Sequence, residues 1–235
     1  MILGKLYLIP TTLGDNAPME VLPITVKQTI EFCNFFIVEN EKTARRFIKK
    51  ICPEKSQPDL NLFVLNKFTS VEEISHYLNP CKAGENIGII SEAGCPGIAD
   101  PGAEIVALAH QQNIEVIPLV GPSSILLSVM ASGLNGQSFA FNGYLPIDKN
   151  ERKNTLKRLE RRAKEEKQTQ VFIETPFRNE ALFQEMLQTL ESSTKLCIAC
   201  DITLSTQYIR TFPIFVWKKQ TISLHKRPTI FVIGK

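Results

Sequence analysis

The sequence predicts an α/β protein of two domains, with a mainly parallel sheet in the N-terminal half and a mixed or antiparallel sheet in the C-terminal half. Its 235 residues suit either one large α/β domain or two small ones. In the first half, short apolar runs alternate with amphipathic stretches, which is typical of a parallel sheet. The last three apolar runs have no long helices between them, which favours antiparallel pairing. We therefore expect domains at residues 1–119 and 120–235.

The N-terminal half contains five short apolar runs that turn-forming residues interrupt. These predicted strands are 6–9, 35–38, 62–65, 87–90 and 115–119. Helical spacing of apolar residues predicts helices at 43–51 and 103–111. Ser70 and Glu73, three residues apart, form the pattern of a capping box and so predict another helix start.

The C-terminal half repeats the alternation at first and then loses it. Its predicted strands are 139–143, 171–173, 196–200, 208–212 and 229–232. Its predicted helices are 123–132, 149–167 and 179–190. No internal repeat supports a solenoid or an array.

Composition excludes several classes of protein. With 27 Lys and Arg against 24 Asp and Glu, the formal charge of +3 is too small for a general coat on nucleic acid. The apolar runs are far too short to span a membrane, and the first residues lack the pattern of a secretory signal. Neither the six cysteines nor the three histidines show the spacing of metal ligands. We expect a cytoplasmic protein with no membrane partner and no metal.

The loops after three predicted strands should share one edge of the N-terminal sheet. Ligands of open parallel sheets bind outside the carboxyl ends of the strands. The loops that follow Ile9, Val38 and Ile90 would therefore lie together, and each contains unusual chemistry. This edge is the predicted ligand site.

The loop at 91–102 carries the strongest signal. Gly94 and Gly97 allow the backbone to approach a ligand closely. Glu92 and Asp100 oppose a phosphate ligand and favour one with hydroxyl groups or positive charge. A purely structural alternative is that Asp100 caps a helix that starts at the following proline.

Six segments together resemble one known family in their order and spacing. They are Leu6–Gly14, Val38–Asn40, Ser91–Gly102, Pro118–Ser124, Phe141–Pro146 and Glu174–Arg178. Over nearly the whole chain the sequence resembles the tetrapyrrole methylase family of S-adenosylmethionine-dependent methyltransferases. Within that family it is similar to the ribosomal small-subunit RNA 2'-O-methyltransferases that act on cytidine.

The resemblance implies a two-domain fold with the methyl donor S-adenosylmethionine in the cleft between domains, and it implies a homodimer. It also implies a set of donor-binding residues drawn from both domains. These are Pro10, Glu92, Ala93, Gly94, Cys95, Ile98, Ala99, Asp100, Ser123, Ser124, Tyr144, Pro228 and Thr229. A sulfonium ligand with an amino-acid end and ribose hydroxyls suits carboxylates and backbone groups better than a phosphate cradle would.

The catalytic candidates follow predicted strands. Glu39 and Glu174 are alternatives for the base that accepts the proton of the acceptor hydroxyl, and solvent is a third. Glu174 also has a purely structural interpretation as an exposed turn carboxylate. Arg178 would either contact phosphate or open the next helix.

The expected acceptor is a ribose 2'-hydroxyl of small-subunit ribosomal RNA. Three departures from the ribosomal branch keep other acceptors open. Glu39-Asn40-Glu41-Lys42 stands where a carboxylate and an arginine commonly follow the glutamate, and Phe177 stands where histidine is common. The sequence also stops soon after its last predicted strand, so we expect the C-terminal extension of many ribosomal members to be missing. The alternatives are a small-molecule, tetrapyrrole-like acceptor, and a catalytically silent relative that binds RNA or a partner.

One predicted helix concentrates positive charge. Residues 151–167 contain eight Lys or Arg and four Glu, a net of +4, which leaves −1 for the rest of the chain. Such a helix could follow an RNA backbone. The alternative is a solvated face in which charges four residues apart pair with each other.

Overall fold

The computed structural model describes residues 2–235, which form two compact units that meet in sequence between Ser123 and Ser124. The strands are β1 (Leu6–Ile9), β2 (Phe35–Val38), β3 (Asn61–Val64), β4 (Ile87–Ile90), β5 (Val116–Pro118), β6 (Phe139–Tyr144), β7 (Thr169–Ile173), β8 (Lys195–Cys200), β9 (Tyr208–Pro213) and β10 (Thr229–Gly234). The helices are α1 (Pro18–Val21), α2 (Ile24–Phe32), α3 (Glu41–Ile51), α4 (Val71–His76), α5 (Asn79–Lys82), α6 (Gly102–Gln111), α7 (Ser124–Ser132), α8 (Lys149–Glu165), α9 (Asn179–Thr189) and α10 (Ile214–Trp217).

The first unit is a five-stranded parallel sheet with helices on both faces. Its strand order is β3-β2-β4-β1-β5, and every recorded pairing is parallel. Alternate residues of β1 enter opposite cores: Ile9 packs with α2 and α3, whereas Leu6 packs with α6. The central strand β4 is buried along its whole length, as expected for a strand covered on both faces.

The second unit is a five-stranded mixed sheet in the order β6-β7-β10-β8-β9. Strands β6 and β7 are parallel, and the other pairings are antiparallel. One face packs against α8, α9 and α10, with Trp217 fully buried among them. The opposite face contacts α7. These two sheets confirm the predicted fold class.

Some elements differ from the sequence prediction. Helix α2 was not predicted, because β-branched residues crowd its sequence and Pro23 at its N-cap provides no capping side chain. Helix α6 begins at Gly102 rather than at the proline before it. The capping box of Ser70 and Glu73 is present as predicted at the start of α4. No helix formed by residues 2–235 combines the length and apolar character needed to cross a bilayer.

Candidate functional site

The carboxyl ends of β1, β2 and β4 lie at one edge of the parallel sheet. Ile90 pairs in register with Ile9 on one side and with Val38 on the other. The loops after these three strands are therefore neighbours, as the sequence predicts. We call this edge, with the loop at 91–102, the carboxylate rim.

The loop after β4 is tied to the loop after β1. The carbonyl of Gly94 accepts hydrogen bonds from the Ser91 hydroxyl (2.8 Å) and from the backbone N–H of Thr11 (2.9 Å). Gly94 has φ +74°, and an added Cβ would lie 3.2 Å from Leu13 and 3.3 Å from the Pro122 carbonyl. Glycine is thus required both by the backbone conformation and by the space available.

Other close contacts hold the end of the β5 loop against the rim. A Cβ on Gly121 would lie 2.3 Å from the Pro10 ring, so the two backbones can approach only because this residue is glycine. The half-buried thiol of Cys95 lies 3.5 Å from the carbonyl oxygen of Pro122. Pro10 and Cys95, two predicted donor contacts, are therefore fixed parts of the rim.

Asp100 organises the tight turn that precedes α6. Its Oδ1 accepts the backbone N–H groups of Gly97 (2.7 Å) and Gly102 (2.9 Å). Burial raises the pKa of Asp100, and these two N–H donors act in the opposite direction. The expectation that Asp100 caps a helix starting at Pro101 is wrong in position, because Pro101 is the N-cap residue. Asp100 nevertheless accepts the first N–H of the helix.

The turn also contains backbone strain. Ala99 has φ +61°, in the left-handed region that costs a residue with a Cβ about 1–2 kcal/mol. Ile98 beside it is more than half exposed. Strained, partly exposed turns of this kind are concentrated at ligand-binding sites.

Glu92 is positioned from the neighbouring helix. Its Oε1 accepts the hydroxyl of Thr43 at 2.6 Å, which connects the loop after β4 to the first turn of α3. Asn40 caps that helix, since its Oδ1 accepts the N–H groups of Lys42 and Thr43. The asparagine that departs from the family pattern thus has a structural role here.

Glu39 lies close to the other two carboxylates. It lines a small depression together with Asp100 at the ends of β2 and β4. Burial raises the pKa of Glu39, the negative charges of Asp100 and Glu92 raise it further, and the backbone N–H of Glu92 opposes the shift. Among residues 2–235, no Lys, Arg or His forms a salt bridge with any of these three carboxylates. The rim therefore carries concentrated negative charge without a compensating cation.

Two further observations support a fit between the rim and the predicted methyl donor. The hydroxyl of Thr11 is buried and finds no hydrogen-bond partner among the described residues. A Cβ built on Gly97, whose φ is +80°, would meet nothing within 4 Å. A buried free hydroxyl, an open approach to the backbone and unpaired carboxylates suit a cationic ligand with hydroxyl groups. The part of the chain that the structure describes has no group of three His, Cys, Asp or Glu side chains that could hold a metal ion.

The second unit brings its own predicted residues to one edge of its sheet. Tyr144 ends β6, Glu174 follows β7, and Thr229 begins the antiparallel β10. Tyr144 is exposed, whereas Glu174 and Thr229 are buried. Pro228 precedes Thr229, and its carbonyl accepts the N–H of Asp201.

Glu174 and Arg178 form an ion pair. Oε2 of Glu174 accepts Arg178 Nη2 at 2.6 Å and the backbone N–H of Thr175 at 2.7 Å. The Nε of Arg178 is buried and has no partner within residues 2–235. The exposed-turn interpretation of Glu174 is wrong, because only 1% of its side chain is exposed.

The predicted site residues thus fall into two groups, each brought together within one unit. The first contains Glu39, Pro10 and 92–100, and it ends in sequence near Ser123. The second contains Tyr144, Glu174, Arg178, Pro228 and Thr229, with Ser124 at the first position of α7. A cleft that joins the two groups stays a prediction. No sequence signal pointed to Thr43, which lies on a helix, and Thr11 was recognisable only as part of the opening segment.

The fold and the rim define a class: a two-unit α/β protein with three carboxylates gathered at the edge of a parallel sheet. The chain matches the family model of Tetrapyrrole (Corrin/Porphyrin) Methylases over residues 5–215, and it belongs to that family. Membership confirms the predicted enzyme class, a methyltransferase that depends on S-adenosylmethionine.

Individual known proteins are similar to this chain over most of its length. A protein named Ribosomal RNA small subunit methyltransferase I from Buchnera aphidicola subsp. Schizaphis graminum is 29% identical over 98% of this chain and 78% of its own length. The protein of the same name from Bacillus subtilis is 34% identical over 80% of this chain, which spans 60% of that relative. The structure of uroporphyrin-III C-methyl transferase from Thermus thermophilus, complexed with S-adenyl homocysteine, aligns with a TM-score of 0.58 at 14% identity and covers 99% of this chain and 98% of that one.

Proposed function

We propose that this protein transfers the methyl group of S-adenosylmethionine to a ribose 2'-hydroxyl of small-subunit ribosomal RNA. The observation that carries the donor half of the proposal is the rim of three carboxylates without a paired cation. The acceptor half is supported by relatives that bear the name Ribosomal RNA small subunit methyltransferase I. The proposal includes a homodimer, which the resemblance implies, and a cytoplasmic location.

The rim residues would hold the donor through complementary chemistry. Backbone groups around Gly94 and Gly97 approach it closely, while Glu92 and Asp100 face its positive charge and its hydroxyls. The unpartnered hydroxyl of Thr11 gains a hydrogen-bond partner. When bound, S-adenosylmethionine supplies an electrophilic methyl group on a sulfonium. The chain contributes alignment of the acceptor oxygen and exclusion of water.

Glu39 is the stronger of the two candidate bases. Its environment favours the protonated carboxyl, so it accepts a proton more readily than an ordinary carboxylate does. Oε2 of Glu174 already accepts hydrogen bonds from Arg178 and from the backbone N–H of Thr175, and the side chain is buried, so it is held in place by the protein itself. We assign proton acceptance from the ribose hydroxyl to Glu39, and positioning to the pair of Glu174 and Arg178.

The first experiment is a calorimetric titration with S-adenosylmethionine, S-adenosylhomocysteine and ATP. We expect saturable binding of the first two and none of ATP, because phosphates are repelled by the rim. The second experiment follows labelled methyl transfer to isolated small ribosomal subunits, with alkaline hydrolysis of the RNA to detect a ribose that resists cleavage. Absence of label in RNA at saturating donor would contradict the proposed acceptor. Light scattering that shows a monomer at micromolar concentration would contradict the dimer.

A tetrapyrrole-like small molecule is the second candidate acceptor. Phe177 is 70% exposed beside the second group of site residues, and its ring lies 6.2 Å from that of His225. An exposed aromatic ring suits a flat apolar ligand as well as a nucleobase. Transfer of label to a tetrapyrrole precursor and not to RNA would favour this acceptor. If S-adenosylmethionine does not bind in the titration, the result would instead favour a catalytically silent member of the family that binds RNA or a partner.

A further inference from the structure

Helix α8 presents two faces of different chemistry. Leu156 and Leu159 are fully buried in the core of the second unit, and Ala163 is buried on the same face. The opposite face is exposed, and between Lys153 and Arg161 its exposed positions carry only cationic or amide side chains.

The positive charges of α8 fall into two classes. Three are held by carboxylates: Arg152 by Glu185 at 2.6 Å, Arg162 by Glu166 at 3.2 Å, and Lys164 by Glu191. The other five form no salt bridge with a carboxylate among residues 2–235. One of them, Lys149, is the first residue of the helix. The remaining four are Lys153, Lys157, Arg158 and Arg161, which we call the basic row.

The one carboxylate inside this stretch does not neutralise the basic row. Glu160 is 6% exposed and points into the unit. Its Oε1 accepts the backbone N–H of Glu191 at 2.8 Å and the hydroxyl of Thr194. The alternative of a solvated face with paired charges does not apply to the basic row. Glu160 is bonded elsewhere, and Glu165, four residues after Arg161, forms no salt bridge with the row among residues 2–235.

The arrangement opposes helix stability. Like charges four residues apart, as at Lys153, Lys157 and Arg161, each destabilise a helix by about 0.2–0.5 kcal/mol. A polyanion would relieve this repulsion, and the three side chains follow one another every ~6 Å along the helix axis.

We infer that the basic row binds the phosphate backbone of RNA. The inference rests on the proposed function, which makes RNA the acceptor, and it adds a contact surface outside the two groups of site residues. A membrane surface fits less well, because a helix that lies on a membrane needs an apolar face toward the lipid. The apolar face of α8 is packed inside the unit.

The test compares two double variants that remove equal charge. K153Q/K157Q removes half of the basic row, and glutamine keeps a helix propensity close to that of lysine. K218Q/K219Q is the matched control, because Lys218 and Lys219 are exposed, unpaired among the described residues and in the same unit. Both proteins are titrated with small-subunit ribosomal RNA from 0.05 to 0.5 M salt, and KM for RNA and Kd for S-adenosylmethionine are measured for each.

Each lost phosphate contact reduces the slope of log K against log salt by about 0.7–0.9. For two contacts we expect the slope to decrease by about 1.4–1.8. If the variant and the original chain bind RNA equally at 1 M salt, the variant should bind about 25- to 60-fold more weakly at 0.1 M. KM for RNA should rise similarly, with donor Kd unchanged. The control should keep the slope and KM of the original chain.

Several results would overturn the inference. If K153Q/K157Q keeps the slope and the RNA KM while methylation of RNA proceeds, the basic row is not the contact, and the proposed function stands. Equal losses in both variants would indicate a general charge effect, and a parallel loss of donor affinity would indicate a damaged fold. Binding to phosphatidylserine vesicles that depends on the basic row, with RNA KM unchanged, would assign it to a membrane. If the original chain neither binds nor methylates RNA, both the inference and the proposed acceptor fail.

Discussion

Replacement of Gly97 by alanine tests whether the carboxylate rim binds the donor. Gly97 has φ +80°, and its missing Cβ points into space with no described atom within 4 Å. If the donor approaches the backbone there, the added methyl group collides with it. Gly133, with φ +68° and equally open space, is a matched control outside the predicted site.

The two substitutions should have the same effect on stability and different effects on donor affinity. The left-handed conformation costs alanine about 1–2 kcal/mol at either position. For a chain of this size, that lowers the melting midpoint by about 2–8 °C. A methyl group forced into an occupied space costs about 1–3 kcal/mol, so G97A should bind S-adenosylmethionine about 5- to 150-fold more weakly.

The assay is calorimetric titration at a temperature well below both midpoints, with differential scanning calorimetry for stability. G133A should keep the donor Kd of the original chain despite its lower midpoint. If G97A binds the donor normally, the donor does not approach this turn, and our assignment of the rim is wrong. If G133A loses affinity equally, the effect comes from general destabilisation.

Three further predictions address the site and the cores. The pKa of Glu39 is raised in the folded protein, so the native state holds this proton more tightly than the unfolded chain does. The free energy of unfolding therefore falls as pH rises above 4.5, the ordinary pKa of this carboxyl. E39Q should therefore raise the melting midpoint at pH 7 but not below pH 4, and it should lower kcat; a stability gain that persists at pH 3.5 would contradict the electrostatic explanation. A99G relieves left-handed strain at a small entropic cost, so it should stabilise by about 0.5–1 kcal/mol in denaturant titration, and destabilisation would show that the strain argument fails. W217F leaves a cavity between Phe183 and Phe212 and removes the indole N–H bond to the Leu196 carbonyl (2.8 Å), which should cost about 2–4 kcal/mol of unfolding free energy without changing donor Kd.

The acidity of the rim has a consequence for ligand choice. Three carboxylates share one edge of a sheet, and burial and mutual repulsion raise the pKa of Glu39. We expect a cationic ligand to stabilise this edge and the carboxylates to repel the polyphosphate of a nucleotide. The ATP control in the titration measures this selectivity directly.

Local pattern in the sequence was enough to predict most of the fold. The strands of the first sheet read as short apolar runs because β4 and its neighbours are covered on both faces, and alternation with helices implied parallel pairing. The start of α4 was predictable because a capping box lies within four consecutive residues. The shared edge of the loops after Ile9, Val38 and Ile90 followed from parallel pairing alone.

Contacts between residues distant in sequence were decided only by the tertiary structure. In the net charge of its helix, Glu160 offsets one positive charge. In the structure, however, Glu160 accepts hydrogen bonds from Glu191 and Thr194 and, among the described residues, forms no salt bridge with the basic row. In the same way, the sequence allowed Glu174 to be interpreted as an exposed turn carboxylate, whereas in the structure it is buried and paired with Arg178. The raised pKa of Glu39 depends on burial and on the nearby charges of Asp100 and Glu92, which only the packing of the elements brings close to it. Periodicity reports which face of an element is buried, whereas the partner of a polar side chain is set by how the elements pack.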